Sequence, residues 1–501
     1  MTSLWLDRPL TPAHDPFPAD DSFDDVVVGA GLTGLTVALL LARAGRRVGV
    51  VEARHRGAVT TGRTTAKVSV LQGTKLSGIL ASQSRHNARA YVEANQEGQA
   101  WLRRFCGDHG VGLQSRDSVV FAASAGERRS VRKEYDAARL LGLPVRWQDA
   151  LDVPFPSHGA VSLEDQSQLD PMELLEALVQ QLHEHGGTLH EGHRVTGVSR
   201  VGRPAVDLED GRTVTADNVV LATGMPILDR AAVWSRAEAK RSYLIAYEGA
   251  AAPRGMYLSA GSSARSLRDV PRTEGTGVFL VGGSGHTTGR TSSEEAHLDA
   301  LREWAGSYFP GATETHAWSA QDYSPYDGLP MIGRLALGLG RIYYATGYDK
   351  WGMANAVAAS LHISKHILGG QVPAWGRALE QRLPRPRGLA HIAMMNAEVG
   401  AAEVVSTARA EASALPPDVD DGTGVVGRSH GLPTGVSKVD GQTCAVLAIC
   451  THVGGTLTWN DAEKSWDCPL HGSRFAPDGQ VLEGPATKPL RRRGAGFSPR
   501  M

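Results

Sequence analysis

The sequence predicts an α/β chain with an all-β tail. The expected layout is an N-terminal α/β domain, an α+β domain inserted into it, and a small antiparallel-β domain at the end. Three observations carry this. Residues 25–52 read as strand, glycine turn, apolar helix and strand. Two later strands, 217–221 and 342–344, each run into Ala-Thr-Gly, at Ala222-Thr223-Gly224 and Ala345-Thr346-Gly347. From about residue 415 the chain reads as short strands around two loops, each holding one Cys and one His.

The first strand is Asp25-Val26-Val27-Val28, and the turn after it is Gly29-Ala30-Gly31-Leu32-Thr33-Gly34. An apolar helix follows to Arg43, then a strand closed by Glu52. This is the dinucleotide fingerprint in its full context. Gly29 makes the tight turn, Gly31 lets the backbone approach a pyrophosphate at the helix N-terminus, and Gly34 allows close packing of the helix. Glu52 is placed to accept hydrogen bonds from a ribose diol. The hydroxyl-rich stretch from Thr60 to Val68, with Arg63, Thr64, Thr65 and Lys67, suits an extended flavin pyrophosphate and the ring beyond it.

Further on come Asp327-Gly328-Leu329-Pro330-Met331-Ile332-Gly333 and the Ala-Thr-Gly of residues 345–347, leading to Trp351-Gly352-Met353-Ala354. Together with the fingerprint and Ala222-Thr223-Gly224, these motifs resemble the FAD-dependent oxidoreductases of the D-amino-acid oxidase, glycine oxidase and sarcosine oxidase type. The resemblance spans about residues 24–370. It implies a Rossmann-like FAD domain with an inserted substrate domain. It also implies cofactor contacts at Gly29, Gly31, Gly34, Glu52, Thr64, Thr65, Thr223, Gly224, Gly347, Trp351, Gly352 and Met353. Asp170-Pro171 opens a helix with the apolar stripe Leu174, Leu175, Leu178 and Leu182, stopped at Gly186-Gly187. A strand and Val195 follow, and in this family a residue at that position meets the adenine through its backbone.

Residues 281–289, Val-Gly-Gly-Ser-Gly-His-Thr-Thr-Gly, imitate a second nucleotide site. The next helix starts near Ser292-Ser293-Glu294-Glu295, not at the glycines, and no strand ending in an acid follows at the required distance. A glycine-rich loop beside the substrate is expected there, and no NAD(P)H site.

Near the C-terminus stand Cys450-Thr451-His452 and, after fifteen intervening residues, Cys468-Pro469-Leu470-His471. Two Cys and two His suit either tetrahedral zinc or a Rieske [2Fe–2S] centre. Each loop mixes Cys with His, the loops continue as Val453-Gly454-Gly455 and Gly472-Ser473, and Gly484-Pro485-Ala486 supplies a third loop. From about residue 415 the segment resembles the Rieske family, which implies a [2Fe–2S] cluster held by Cys450, His452, Cys468 and His471. High-potential Rieske proteins of the cytochrome bc type add a disulfide between the loops and two hydroxyls near the sulfurs. Here the two cysteine positions are Gly455 and Leu470, the serine is kept as Ser473, and the tyrosine position is Phe475. A cluster potential in the lower to middle part of the Rieske range is expected.

The expected boundaries are an FAD-binding domain at residues 1–75, 160–228 and 322–370, and a substrate domain at 76–159 and 229–321. A helical linker at 371–413 and a Rieske domain at 414–501 complete the chain. Net charge is −1, with 42% apolar and 21% charged residues, so nothing points to nucleic acid or an anionic membrane. Arg491-Arg492-Arg493 reads as a solvated tail. No apolar run is long enough for a transmembrane helix and no signal peptide is evident, so a cytoplasmic location is expected. Of the four cysteines, Cys106 and Cys444 read as small buried hydrophobes, not a disulfide.

The chemistry implied is hydride transfer from a small amine, amino acid or related substrate to flavin. The cluster would relay single electrons to or from an external partner. Lys350, Lys67 and Arg63 are candidates for positive charge beside the flavin, and the helix start at Gly352 adds its amides. Arg268, Arg265 and His286 are candidates for binding a substrate carboxylate. Tyr323, Tyr326, Tyr348 and Trp351 are candidates for holding an ammonium. A Rieske oxygenase would need two histidines and a carboxylate on one iron, and His183-Glu184-His185 is the only close cluster in sequence. A non-catalytic redox partner or sensor is the remaining reading.

Overall fold

The computed structural model describes residues 1–199, 202–228, 230–270, 277–336, 338–380, 382, 386–413, 415–416 and 418–493. Pro417 and the tail after Arg493 lie outside the described residues. Among the described residues the chain forms two large sheets and two small ones.

The first sheet is built on Ser22–Val28, which pairs in parallel with Val48–Glu52 on one side and Thr213–Leu221 on the other. Thr188–Glu191 and Ile342–Thr346 extend it at the two sides, again in parallel. Valine-rich strands suit such a sheet because both faces are covered. The helix Leu32–Arg43 is buried from Leu32 to Leu39 and packs against Pro171–Glu184 and Gly352–Ile367. Gly34 is required by packing, since a Cβ there would sit 1.9 Å from the carbonyl oxygen of Gly29. Gly29 itself has φ +106° and lies under Ala222, so it serves both the turn and the close approach.

The second sheet joins Ala237–Glu248, Val278–Thr287 and Thr313–Pro325 to Leu113–Phe121 and Ala160–Leu169. Ala160–Leu169 pairs in it with Lys67–Val68 and forms its long antiparallel ladder with Leu113–Phe121. One expectation is corrected here. Residues 281–287, expected as a loop, belong to the strand Val278–Thr287, which is bonded on both sides.

The C-terminal part carries two small antiparallel sheets around a core that includes Trp466, Phe475 and Val446. The linker is a helix, Pro386–Ala412, and it works as a strut. His391 Nδ1 meets Tyr326 O at 2.6 Å, and Asn396 donates to Ser235 O. Further along, the Glu403 carboxylate accepts from Thr456 N at 3.0 Å, beside the first Cys/His loop. Cys106 is buried as expected, whereas Cys444 is only half-buried; both are free thiols. No described helix is long and apolar enough to cross a membrane.

Candidate functional site

A cavity of about 420 Å³ opens where the two large sheets meet. Gly29, Gly31, Glu52, Thr64, Thr65, Val195, Thr223, Gly224, Trp351, Gly352 and Met353 all line it. The two helices that start on it, Leu32–Arg43 and Gly352–Ile367, have no side-chain cap from their N-cap residue and no acid in their first turn. Arg85–Asp108 and Pro171–Glu184, which start elsewhere, are capped by Ser84 and Asp170, while Lys75–Ser82, Arg128–Leu140 and Glu295–Tyr308 also lack a cap from their N-cap residue. Leu32 N donates to Thr61 Oγ1 at 3.2 Å, and the two positive helix ends face one cavity, which suits an anionic dinucleotide and an electron-rich ring. Glu52 holds the turn as well as facing the cavity, accepting from Ala30 N and Arg54 N at 2.9 Å each.

Gly347 lies between the wall residues Ala345 and Tyr348, and a Cβ on it would meet Pro325 Cγ at 2.5 Å. Gly34 acts behind the wall, on the turn.

Titratable side chains on the wall include Lys67, Lys350 and Asp322. Lys67 Nζ donates to Tyr257 O at 2.8 Å and to Ser266 Oγ at 2.7 Å. Burial, then the charge of Arg268, lowers its pKa to about 7. Burial also lowers Lys350, whose Nζ lies beside Gly285. Asp322 accepts from Lys350 N at 2.7 Å, and burial pushes its pKa up to about 6.

Several other candidates are not on this wall. Arg268 is 1% exposed; it donates to the carbonyls of Thr65, Leu169 and Asp269, so it ties backbone together and leaves no fork for a substrate. Arg265 donates to Ser263 O and Ala300 O. His286 stacks against Tyr243 and His297. Of the aromatic candidates Tyr348 and Trp351 face the cavity, while Tyr323 and Tyr326 do not. Arg63 does line it, but its guanidinium pairs with Glu463 at 2.9 Å. His183 turns to Asp15 and His185 to Gln181 O, so that sequence cluster does not converge.

In the C-terminal domain, Cys450 and Cys468 meet in the core and the rings of His452 and His471 lie 5.3 Å apart. His471 is 5% exposed, yet neither of its ring nitrogens has a hydrogen-bond partner. An orphaned buried imidazole beside two thiols is what a metal centre would satisfy. Among the described residues, the only three metal-binding side chains with ligand atoms all within 4.8 Å of one another lie elsewhere, at His362, His366 and Glu380. No three of the Cys/His donors fall in such a group, as the ligands of a single zinc would. The Ser473 hydroxyl lies beside Cys450, lowering its thiol pKa, and accepts from Ala486 N at 3.0 Å. Ser473→Ala is expected to lower the cluster potential. A bond differing by about 1 kcal/mol between oxidation states corresponds to roughly 40 mV for one electron. A spectroelectrochemical titration would show it, and an unchanged midpoint would remove Ser473 from the sulfur environment.

Sequence reasoning missed how closely the parts dock. Leu482, Glu483, Gly484, Ala486 and Thr487 form part of the wall of the same cavity as the glycine turn. Gln321, also on that wall, donates to Gly472 O at 2.9 Å, and Tyr323 OH donates to Gly484 O at 3.1 Å. Trp234 stands edge-on to His471, with centroids 4.3 Å apart. Glu463 lies among Arg63, Arg241 and Arg474, at 2.9, 2.5 and 2.7 Å. Burial alone would raise its carboxyl, but Arg474, Arg241 and Arg63 outweigh burial and hold it far below the ordinary carboxylate value. The fit is close, since a Cβ on Gly472 would meet Ala239 Cβ at 2.4 Å.

Residues 24–365 match the family model for FAD dependent oxidoreductases, and residues 410–493 match the Rieske [2Fe-2S] domain. A Bacillus subtilis (strain 168) protein named as a putative Rieske 2Fe-2S iron-sulfur protein, YhfW, is 28% identical over 496 residues, covering 98% of this chain and 97% of its own. Glycine oxidase from Geobacillus kaustophilus shares the fold with TM-score 0.60 and 18% identity, covering 72% of this chain and 99% of its own. L-amino acid deaminase from Proteus vulgaris does so with TM-score 0.60 and 14% identity, covering 74% and 99%. With two positive helix ends facing one cavity and a Cys/His centre docked against it, the chain belongs to the FAD dependent oxidoreductases of the D-amino-acid oxidase type and carries FAD and, in a C-terminal Rieske domain, a [2Fe–2S] cluster.

Proposed function

We propose that this protein oxidises a small amine or amino acid at the flavin and exchanges single electrons with an external partner through the Rieske cluster. The observation that carries this reading is the shared wall: residues 482–487 of the Rieske domain and the glycine turn line one cavity. FAD, when bound, supplies two-electron acceptance, and the cluster supplies one-electron transfer. Gly29, Gly31 and the first turn of Leu32–Arg43 would hold the pyrophosphate. Glu52 would hold the ribose, Val195 the adenine, and Thr64, Thr65 and Gly352 the ring end. Cys450, Cys468, His452 and His471 would hold the cluster.

The chain's own groups then prepare the substrate. An amine gives up hydride readily only as the neutral base, so its ammonium proton needs an acceptor. Lys67, held near neutrality by burial, takes that proton on Nζ and shares it with Ser266. Lys350 and the amides at Gly352 balance negative charge at the opposite end.

Anaerobic mixing with a panel of amines and amino acids tests the reading by flavin bleaching. At least one member is expected to bleach it, with a rate that rises with pH through about 7 as Lys67 loses its proton. Lys67→Met should abolish that pH dependence and slow bleaching by about 10²-fold or more. Bleaching by NADH or NADPH alone, with none by the panel, would sink the proposal in favour of a redox partner protein.

A further inference from the structure

A second metal-binding constellation lies away from the cavity. His362 and His366 are four residues apart on the helix Gly352–Ile367, so their side chains share one face. The helix Ala374–Glu380 folds back and delivers Glu380 to them. Glu380 Oε2 lies 3.2 Å from His362 Nε2 and 2.9 Å from His366 Nε2. An ion bound at about 2.0–2.2 Å by each donor would hold tetrahedral neighbours about 3.4 Å apart, so three donors this close need only small shifts to surround one.

The surroundings fit a site already shaped. His362 is fully buried, while His366 and Glu380 keep 18% and 12% of their side-chain surfaces exposed. That gap gives an ion a way in and leaves a position open to water. His362 Nδ1 has no hydrogen-bond partner, so nothing in the protein fixes the ring proton on Nε2. The proton can move to Nδ1 and free the Nε2 lone pair. Gly376 stands where a Cβ would come within 2.2 Å of His362 Nδ1, so the returning helix clamps the ring in its present orientation.

We propose that His362, His366 and Glu380 form a divalent transition-metal site, best suited to Zn²⁺, that staples Ala374–Glu380 to the end of Gly352–Ile367. Two imidazoles and one carboxylate are borderline ligands, which favour zinc over calcium or magnesium. The site is ten or more residues along the helix from Gly352, about 15 Å, so its role is to fix the helix and not to exchange electrons with the flavin.

Zinc uptake by the tag-free, iron-replete full-length protein tests this, because the Rieske ligands are then occupied. After chelator washing, titration with ZnCl₂ and desalting, metal analysis should find one zinc per chain beside an unchanged iron and FAD content. Calorimetry should show one matching site, and zinc should raise the melting temperature. His366→Gln and Glu380→Gln should each lose both the zinc and that rise while keeping iron and FAD. His366 is the more exposed ligand and gives the variant best suited to fold. No stoichiometric uptake by the wild type would overturn the site and leave a hydrogen-bonded clamp. So would equal uptake by both variants.

Discussion

Replacing His471 by alanine is expected to remove both irons and also to weaken FAD retention. The first part follows from the donor set, since two histidines carry one of the two irons. The second follows from the docking. The residue after His471 accepts the Gln321 side chain, and residues 482–487 close the FAD cavity. Without a cluster the loops lose their anchor, and the bonds from Gln321 and Tyr323 go with them. Each such bond is worth about 0.5–1.5 kcal/mol, so together they correspond to roughly tenfold in FAD affinity. Iron analysis, electron paramagnetic resonance and the fluorescence of released flavin measure both effects. Full cluster loss with unchanged FAD affinity would show that the Rieske wall covers the cavity without supporting the cofactor.

The second large effect is expected at Glu463. Glu463→Gln leaves Arg63 without its carboxylate partner, and leaves Arg241 with Glu483 and Arg474 with Glu483 and Asp467. Removing one partner of a buried ion pair costs about 3–5 kcal/mol, because the charges left behind remain desolvated. A lower melting temperature should appear, along with faster proteolysis of the linker helix Pro386–Ala412. The pH dependence has a definite sign. The native carboxyl sits far below its unfolded value of about 4.3, so its contribution is complete above that value. It fades as pH falls through the native pKa. The difference between wild type and variant should be constant from about pH 6 to 8 and shrink in acid. A melting temperature unchanged at neutral pH would mean that the arginines are satisfied elsewhere, and the network would not be what docks the domain.

The cofactors and the general fold were readable from the sequence because their signals are local. A strand, a glycine turn and a helix are specified by the steric limits of neighbouring residues, so Gly29, Gly31 and Glu52 could be placed from their order alone. The same holds for Cys450 with His452 and Cys468 with His471, where two residues of one loop must reach one metal centre. The errors fall where local context says nothing about direction. Arg268 had the charge to bind a carboxylate, but the fold turns it onto three backbone carbonyls.

Only the tertiary structure decided that the two redox centres share a wall. That arrangement rests on pairs far apart in the chain, such as Arg63 with Glu463 at a separation of 400 residues and Arg241 with Glu463 at 222. It also gathers His362, His366 and Glu380 by folding one helix back on another. Neighbouring residues set the local backbone through sterics and hydrogen bonding. Long-range contacts form only once burial has brought distant surfaces together, and the strength of a buried charge network exists only after water has been excluded from it.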